Sequence, residues 1–352
     1  MNIITKCHKR KRVEYIDALR GFTMLLVIYS HIITWSYGVE SSFLYNEYFV
    51  KFRMPLFFFI SGWVLYKRDI IWDFSYVLSF LKKKFMVQIL PTAFFMIVFL
   101  YLTNSLKKET FGGLKSGYWF TLSLFQYFVI YALSRFAVHR WIKSKWVEDM
   151  SIMIISLLIF ILSFTYGVLT KAFSLDTMTL EYIGCFQLRF YFFFCVGTFL
   201  KKYYDRFVIL TDSHYFMTIV LGGAILMILF SEKIVIPYWL HISFIIWGIL
   251  GIICVVTFFR KNEKWFLKDK RLGIFLQFVG RRTLDIYLLH YFFLPRHLDF
   301  LNPYILPNPI LVFFVTLIMA LMVLSLSLGT SAILRMSPFF AHYLFGVKKE
   351  LR

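Results

Sequence analysis

Acidic residues are scarce in this chain. Nineteen Asp and Glu stand against 39 Lys and Arg, and charged residues of every kind amount to only 16% of 352. A soluble domain carries about 25% charged and about 45–50% apolar residues. Here the apolar share is 60% and the mean hydropathy is +0.70, which excludes an ordinary soluble domain and points to a polytopic membrane protein. Cysteine is sparse as well. Cys7, Cys185, Cys195 and Cys254 show no Cys-x-x-Cys spacing and no paired His, so no disulfide framework and no metal site is expected. Three of them fall in apolar runs, where a small buried hydrophobe is the ordinary reading. Internal repeats, low-complexity tracts and Gly/Ser/Pro-rich linkers are absent too. One domain over 1–352 is expected, with 1–12 as a basic tail.

The formal net charge of +20 invites a nucleic-acid reading. That reading fails, because Lys and Arg are confined to short segments between apolar runs, where a membrane protein needs them to set its topology. Membrane lipid is the expected partner and nucleic acid is not. The apolar runs predict an all-α fold of ten spans, at about 16–37, 47–66, 86–103, 118–138, 150–170, 183–200, 214–231, 238–259, 273–293 and 309–332. The first run is longer than the apolar core of a signal peptide and lacks a small-x-small cleavage site, so it reads as a retained helix. With the N-terminus inside, inner connections hold 28 Lys and Arg and outer ones 8. Ten spans with both termini cytoplasmic satisfy this bias. The inner segment 67–86 is amphipathic, with Trp, Phe and Leu flanked by lysines, and is expected to lie in the interface as a helix.

The most informative stretch is Arg12 to Gly38. It runs apolar for long enough to cross a bilayer, yet contains Asp17, Arg20 and His31. Ionisable groups at membrane depth are expensive and are functional candidates by default. Arg20 and His31 are 11 residues apart, three helical turns, so both lie on one face about 16 Å apart along the axis. Asp17 precedes Arg20 by three residues on nearly the same stripe. In the sixth run, Arg189 is some residues from either end. A charge there faces the protein interior or a wet cavity, either binding reactant oxygens or forming a structural ion pair. In the ninth, Thr283, Tyr287 and His290 recur at i, i+4 and i+7 and form a second polar stripe. Asp285 is on roughly the opposite face, with Arg281, Arg282 or Arg189 as its candidate partners.

The stretch Tyr15-Ile16-Asp17-x-x-Arg20-Gly21, the ten residues between Arg20 and His31, and Pro55 to Gly62 (PLFFFISG) together resemble the signature of the acyltransferase-3 membrane proteins. The resemblance implies ten helices around a polar cavity, lined by the first, second, sixth and ninth. It implies O-acyl transfer from acetyl-CoA, or another acyl-CoA, as co-substrate, with no bound cofactor. The acceptor would be a hydroxyl of a cell-surface glycan or its lipid-linked sugar precursor, in the cell membrane of a bacterium. Within the family the chain looks most like the sugar O-acetylase branch that lacks an appended extracytoplasmic domain.

On that resemblance His31 is the general base, against the plainer reading of a neutral His satisfied by a neighbouring helix. His290 is a second candidate base or an acceptor-binding group. Arg20, oriented by Asp17, either contacts the phosphates of coenzyme A or snorkels to the inner interface. Arg53 opens the second helix as a substrate contact or an interfacial snorkel. Ser61 and Gly62 shape the site by letting two helices approach, and Ser61 is not expected to be a nucleophile. Trp119 resembles a Trp that opens the family's fourth helix, or belongs to an interfacial belt. Tyr287 helps hold reactants or the oxyanion. The family's Arg-x-x-Arg pattern before a Pro is replaced here by Lys82-Lys83-Lys84 and Gln88 before Pro91, a poorer bidentate phosphate binder. A flippase for a lipid-linked saccharide is the alternative, disfavoured by the lack of a pseudo-repeat. A non-catalytic scaffold would leave Asp17, Arg20 and His31 costly without purpose. A homo-oligomer is left open.

Overall fold

Lipid gives helices no hydrophobic reason to associate, so their packing depends on close contact and on polar pairs. The structure, a computed structural model, describes residues 13–39, 46–68, 70–105, 117–172, 185–230 and 239–346; the expected basic tail 1–12 lies outside them. Among the described residues there are helices and no strands. In chain order they are α1 (Glu14–His31), α2 (Asn46–Leu65), α3 (Phe74–Lys84), α4 (Leu90–Leu102), α5 (Trp119–Trp141), α6 (Lys145–Ala172), α7 (Tyr191–Lys202), α8 (Tyr204–Asp212), α9 (His214–Phe230), α10 (Trp239–Lys261), α11 (Arg271–Arg281), α12 (Thr283–Phe293), α13 (Pro309–Met336) and α14 (Pro338–Phe345). Among the described residues, seven helical elements are long and apolar enough to cross a membrane, or eight if α8 and α9, bent by 80°, count as one span. Large apolar side chains such as Ile219, Leu226, Ile318 and Met322 stay exposed, as lipid-facing residues do. The chain is a multi-pass membrane protein.

The remaining expected runs are shorter or broken. The run at 183–200 is a 3₁₀ turn (Cys185–Phe190) followed by the 12 residues of α7. The run at 273–293 breaks at Arg282 into two helices of 11 residues, α11 and α12. The segment 67–86 also differs from the separate in-plane helix expected of it. From Phe74 onward it continues through a π-helical turn (Phe85–Ile89) into α4, making one element of 29 residues. Pro91 has no N–H to donate and its ring crowds the carbonyl four residues back. A wider turn just ahead of it lets the helix pass through without a stop. A second π-helical turn (Ile32–Ser36) directly follows His31. Its end is tied down where Ser36 Oγ donates to the Pro295 carbonyl at 2.5 Å.

Two glycine contacts set the core. A Cβ added to Gly62 of α2 would stand 1.9 Å from the Phe194 carbonyl oxygen, and one on Gly197 of α7 would stand 2.0 Å from that of Phe59. The same geometry joins α1 to α11, where a Cβ on Gly280 would meet the Asp17 carbonyl oxygen at 1.8 Å and one on Gly21 would meet that of Leu276 at 2.1 Å. Backbones touch at both crossings, so the first two spans are held against their partners without room for any side chain.

Asp285 is buried in a polar knot. Its Oδ2 accepts from Arg335 Nη2 at 2.7 Å and Ser331 Oγ at 2.7 Å, both on α13, with Arg282 Nη1 at 3.5 Å. Of the partners expected for Asp285, Arg282 contributes; the shorter bond comes from Arg335, a residue the sequence pattern does not connect to it. This pair pins α12 to α13 and so orients the face of α12 that carries Tyr287 and His290.

Replacing Gly62 by Leu should lower the stability of the folded protein by about 3 kcal/mol or prevent its accumulation, because backbone would have to move. A Cβ added to Gly222 would meet nothing within 4 Å, so this position serves as the control. Thermal melting of the two variants in detergent should separate them, with Gly222→Leu close to wild type.

Candidate active site

Helix α1 carries Asp17, Arg20 and His31 in one unbroken run of helix. At its first tier, Arg20 Nη2 donates to Thr283 Oγ1 at 2.8 Å, and Arg20 Nη1 lies 3.9 Å from Asp17 Oδ1. This places the start of α12 against the start of α1, as the backbone contact of Gly21 with α11 requires. Beside Arg20 opens a cavity of about 210 Å³. Its polar lining comes from Arg20, Ser61, Lys84, Gln88, Thr121, Thr283 and Tyr287, and Phe57, Val64, Phe120, Leu124, Phe128 and Leu284 form the apolar wall.

The cavity is thus built by α1, α2, α3 with its π-helical turn, α5 and α12. The sixth run, expected to line it through Arg189, does not. Ser61 Oγ donates to the Phe57 carbonyl at 2.9 Å, so its proton serves the backbone. Gln88, standing near where the family pattern has Arg, donates from Nε2 to the Thr121 carbonyl at 2.8 Å and fixes the start of α5. Lys84 is the further cation at this tier, with its Nζ 4.0 Å from the centre of the Phe128 ring.

The second tier is reached through Tyr287, which lines the cavity and follows Thr283 by one turn. Tyr287 Oη donates to the Gly117 carbonyl at 2.7 Å and accepts from the Phe120 N–H at 3.2 Å. Tyr291 Oη donates to the same Gly117 carbonyl at 2.8 Å. Gly117 has φ +95°, and a Cβ there would stand 2.4 Å from the Tyr291 ring, so only glycine presents this carbonyl to both tyrosines.

Two imidazoles meet at this tier. The rings of His31 and His290 are stacked, with centroids 5.5 Å apart and planes 22° from parallel. His290 is fully buried, and its Nδ1 sits 3.0 Å from the Ile286 carbonyl oxygen and 2.8 Å from that of Tyr287. A carbonyl only accepts, so Nδ1 carries the proton and Nε2 holds the lone pair. That Nε2 is buried without a hydrogen-bond partner. His31 Nε2 lies 3.4 Å from Tyr291 Oη. Since the Tyr291 proton is already given to Gly117, His31 Nε2–H is the donor of this long contact, which leaves Nδ1 of His31 as its basic nitrogen.

Arg53 belongs to the same tier. It acts electrostatically on both His31 and Tyr291, and its buried Nε and Nη1 have no hydrogen-bond partner. A guanidinium with unspent donors at the tier of two imidazoles is suited to an oxygen that carries or develops negative charge.

Arg189 and Trp119 stand apart from both tiers. The Trp119 ring stacks on Phe190 at 5.8 Å, and the Arg189 guanidinium lies 5.0 Å from the Phe190 ring and 5.1 Å from the Phe244 ring. Of the residues singled out from sequence, the structure brings Asp17, Arg20, Ser61 and Tyr287 to the cavity tier and His31, His290 and Arg53 to the imidazole tier. Lys84, named among the inner lysines, also reaches the cavity tier, whereas Tyr291, Thr121 and the Gly117 carbonyl were not singled out. Tyr291 follows His290 directly and so falls off the i, i+4, i+7 stripe, and a carbonyl acceptor leaves no mark in a sequence.

Comparison with known families is decisive on class. The acyltransferase-3 family model, described as an acyltransferase domain, matches residues 13–329. The chain belongs to the acyltransferase-3 family. No curated protein and no solved structure matches it. The two tiers are therefore those of a membrane acyltransferase, and the match spans every residue of both.

Tyr287→Phe should keep the fold while removing one of the two hydroxyls on Gly117 and the acceptor for Phe120. A loss of one such bond is worth about 1–1.5 kcal/mol. Acyl transfer should fall about tenfold, with the fold kept and the melting temperature lowered by only a few degrees.

Proposed function

We propose that the protein moves an acyl group, acetyl foremost, from acyl-CoA to a hydroxyl of a cell-envelope polysaccharide or its lipid-linked sugar precursor, in the cell membrane of a bacterium. The reading is supported most by one observation: His31 stacks on His290, and the half-buried Arg53, whose buried Nε and Nη1 have no hydrogen-bond partner, is within electrostatic reach of His31. Acyl transfer to a hydroxyl needs a proton acceptor and a donor for the carbonyl oxygen at one point. Both are present.

In this scheme the donor enters at the first tier, where Arg20 and Lys84 face its negative charge. Its thioester arm passes the apolar wall of the 210 Å³ cavity toward Tyr287. The acceptor hydroxyl approaches His31. As its oxygen forms a bond to the thioester carbon, its proton passes to the basic nitrogen of His31. The carbonyl oxygen becomes an oxyanion held by Arg53. The C–S bond then breaks, the oxyanion returns to a carbonyl, and the thiolate leaves toward the first tier, taking up the proton. His290 Nε2 accepts a hydrogen bond from a neighbouring hydroxyl and orients the acceptor. The ten-span topology with both termini inside is proposed with it, on the charge bias of the connections.

The test uses labelled acetyl-CoA and membranes with matched protein levels. His31→Ala should reduce transfer to base-labile glycan by about 10²–10⁴-fold, the range of a general base. His290→Ala should act mainly on KM for the acceptor. If His290→Ala abolishes transfer and His31→Ala does not, the base is His290.

A further inference from the structure

A second, larger cavity of about 370 Å³ lies away from the imidazole tier. It opens among three connections: the stretch after α2, the turn from α5 into α6, and the junction of α7 with α8. Its floor is a closed ion network. Arg135 Nη1 donates to Glu148 and to Asp149, both at 2.9 Å. The other oxygen of Asp149 is held by Lys202 Nζ at 2.5 Å and by Tyr203 Oη at 2.8 Å. His139 approaches the other oxygen of Glu148 at 3.5 Å.

These contacts use up the acids of the floor. The walls add Lys67, Arg68, Lys143 and Lys145, and among the described residues none of the four is in an ion pair with an acid. The Trp72 and Tyr131 rings, in edge contact at 5.6 Å, line it too. Basic connections alone would satisfy the positive-inside bias. They need not close around one cavity, nor be built on a buried floor whose acids are already spent.

The two cavities are neighbours. Val64 lines the first and Leu65 the second; on α5, Phe128 lines the first and Tyr131, one turn later, the second. Lys84 of the first cavity is within electrostatic reach of both Arg20 and Lys67. A path of cations thus runs from Arg20 through Lys84 to Lys67 and the second cavity.

We propose that the second cavity holds the phosphates of the donor's nucleotide end, while the thioester arm lies along the first. The proposal rests on the acyl-CoA reading given above. Lys67, Arg68, Lys143 and Lys145 neutralise the phosphates.

The full chain in membranes should be tested with adenosine 3′,5′-bisphosphate as probe, and with acetyl-CoA and acetyl-pantetheine as donors. The variants are Lys143→Gln with Lys145→Gln, and separately Lys67→Gln. Wild type should bind the probe, with affinity falling as salt rises. The double variant should weaken probe binding and raise KM for acetyl-CoA by about tenfold or more. Transfer from acetyl-pantetheine, which lacks the nucleotide, should change by less than about twofold, and so report that the fold is intact. Equal probe affinity in wild type and both variants would overturn the proposal. So would a parallel loss with both donors. Competition for the probe by phosphatidylglycerol vesicles, with none by CoA, would assign the cavity to a lipid headgroup instead. Transfer from neither donor by wild type would instead overturn the acyl-CoA reading itself, and the proposal with it.

Discussion

A polar group inside a membrane protein must find a partner within the protein, because lipid offers none. This constraint sorts the ionisable residues of the chain. Asp285 has Arg335, Ser331 and Arg282. Arg135 has Glu148 and Asp149. The Tyr127 hydroxyl donates to the Gln187 carbonyl. Those groups are costly to bury and are matched, so they hold helices together. Arg53 and the Nε2 of His290 are buried with unmatched atoms. Their cost has no structural return among the described residues, and both stand at the tier where chemistry is assigned. Unmatched buried atoms also occur away from this tier, at Trp247 Nε1 and Thr257 Oγ1, so it is the lack of a partner together with a place at the imidazole tier that marks Arg53 and His290.

The scaffold then has to hold the unmatched groups still. It does so with backbone. Helix α1 cannot slide on α11 because Gly21 and Gly280 leave no clearance, and α2 is locked to α7 by Gly62 and Gly197. Arg20 and His31 share the first of these helices, and Arg53 and Ser61 share the second. The Gly117 carbonyl completes the frame from a third direction, receiving Tyr287 and Tyr291 at once. Rigid presentation of this kind would let the imidazole and the guanidinium act in the proposed transfer without rearranging at the moment of reaction.

Much of this was legible in the sequence, and the reasons differ by residue. The tier carrying Arg20 and the tier carrying His31 follow from helical spacing alone, since 11 residues is three turns. The close crossing at Gly62 follows from a small residue inside an aromatic run. What failed was the reading of interruptions and continuations inside an apolar run, while ends such as those of α2 and α9 fall within a residue of expectation. The passage through Pro91 sits in apolar context, where periodicity does not change across it, and the break at Arg282 falls in a short polar stretch, Arg281 to Asp285, inside an otherwise apolar run. Arg189 illustrates a different limit. Its depth in an apolar run did not say which neighbours it meets, and its guanidinium lies half-buried near the Phe190 and Phe244 rings.

The replacement of a family Arg by Gln88 now has a physical account. Gln88 spends its amide on the Thr121 carbonyl and so positions the segment bearing Phe120, whose N–H in turn reaches Tyr287. A guanidinium in that place would compete for the same carbonyl while adding a charge beside Arg20 and Lys84. With Gln88 neutral, the cationic duty at the first tier rests on Arg20 and Lys84, and the surplus of cations lies further out, at Lys67 and beyond. Charge that a single pocket would concentrate is spread along a path, so that like charges repel less and the long anionic donor proposed above would be met at more than one point. Screening by salt favours the same arrangement: the inner cations are sheltered, and the outer ones remain open to a ligand arriving from water.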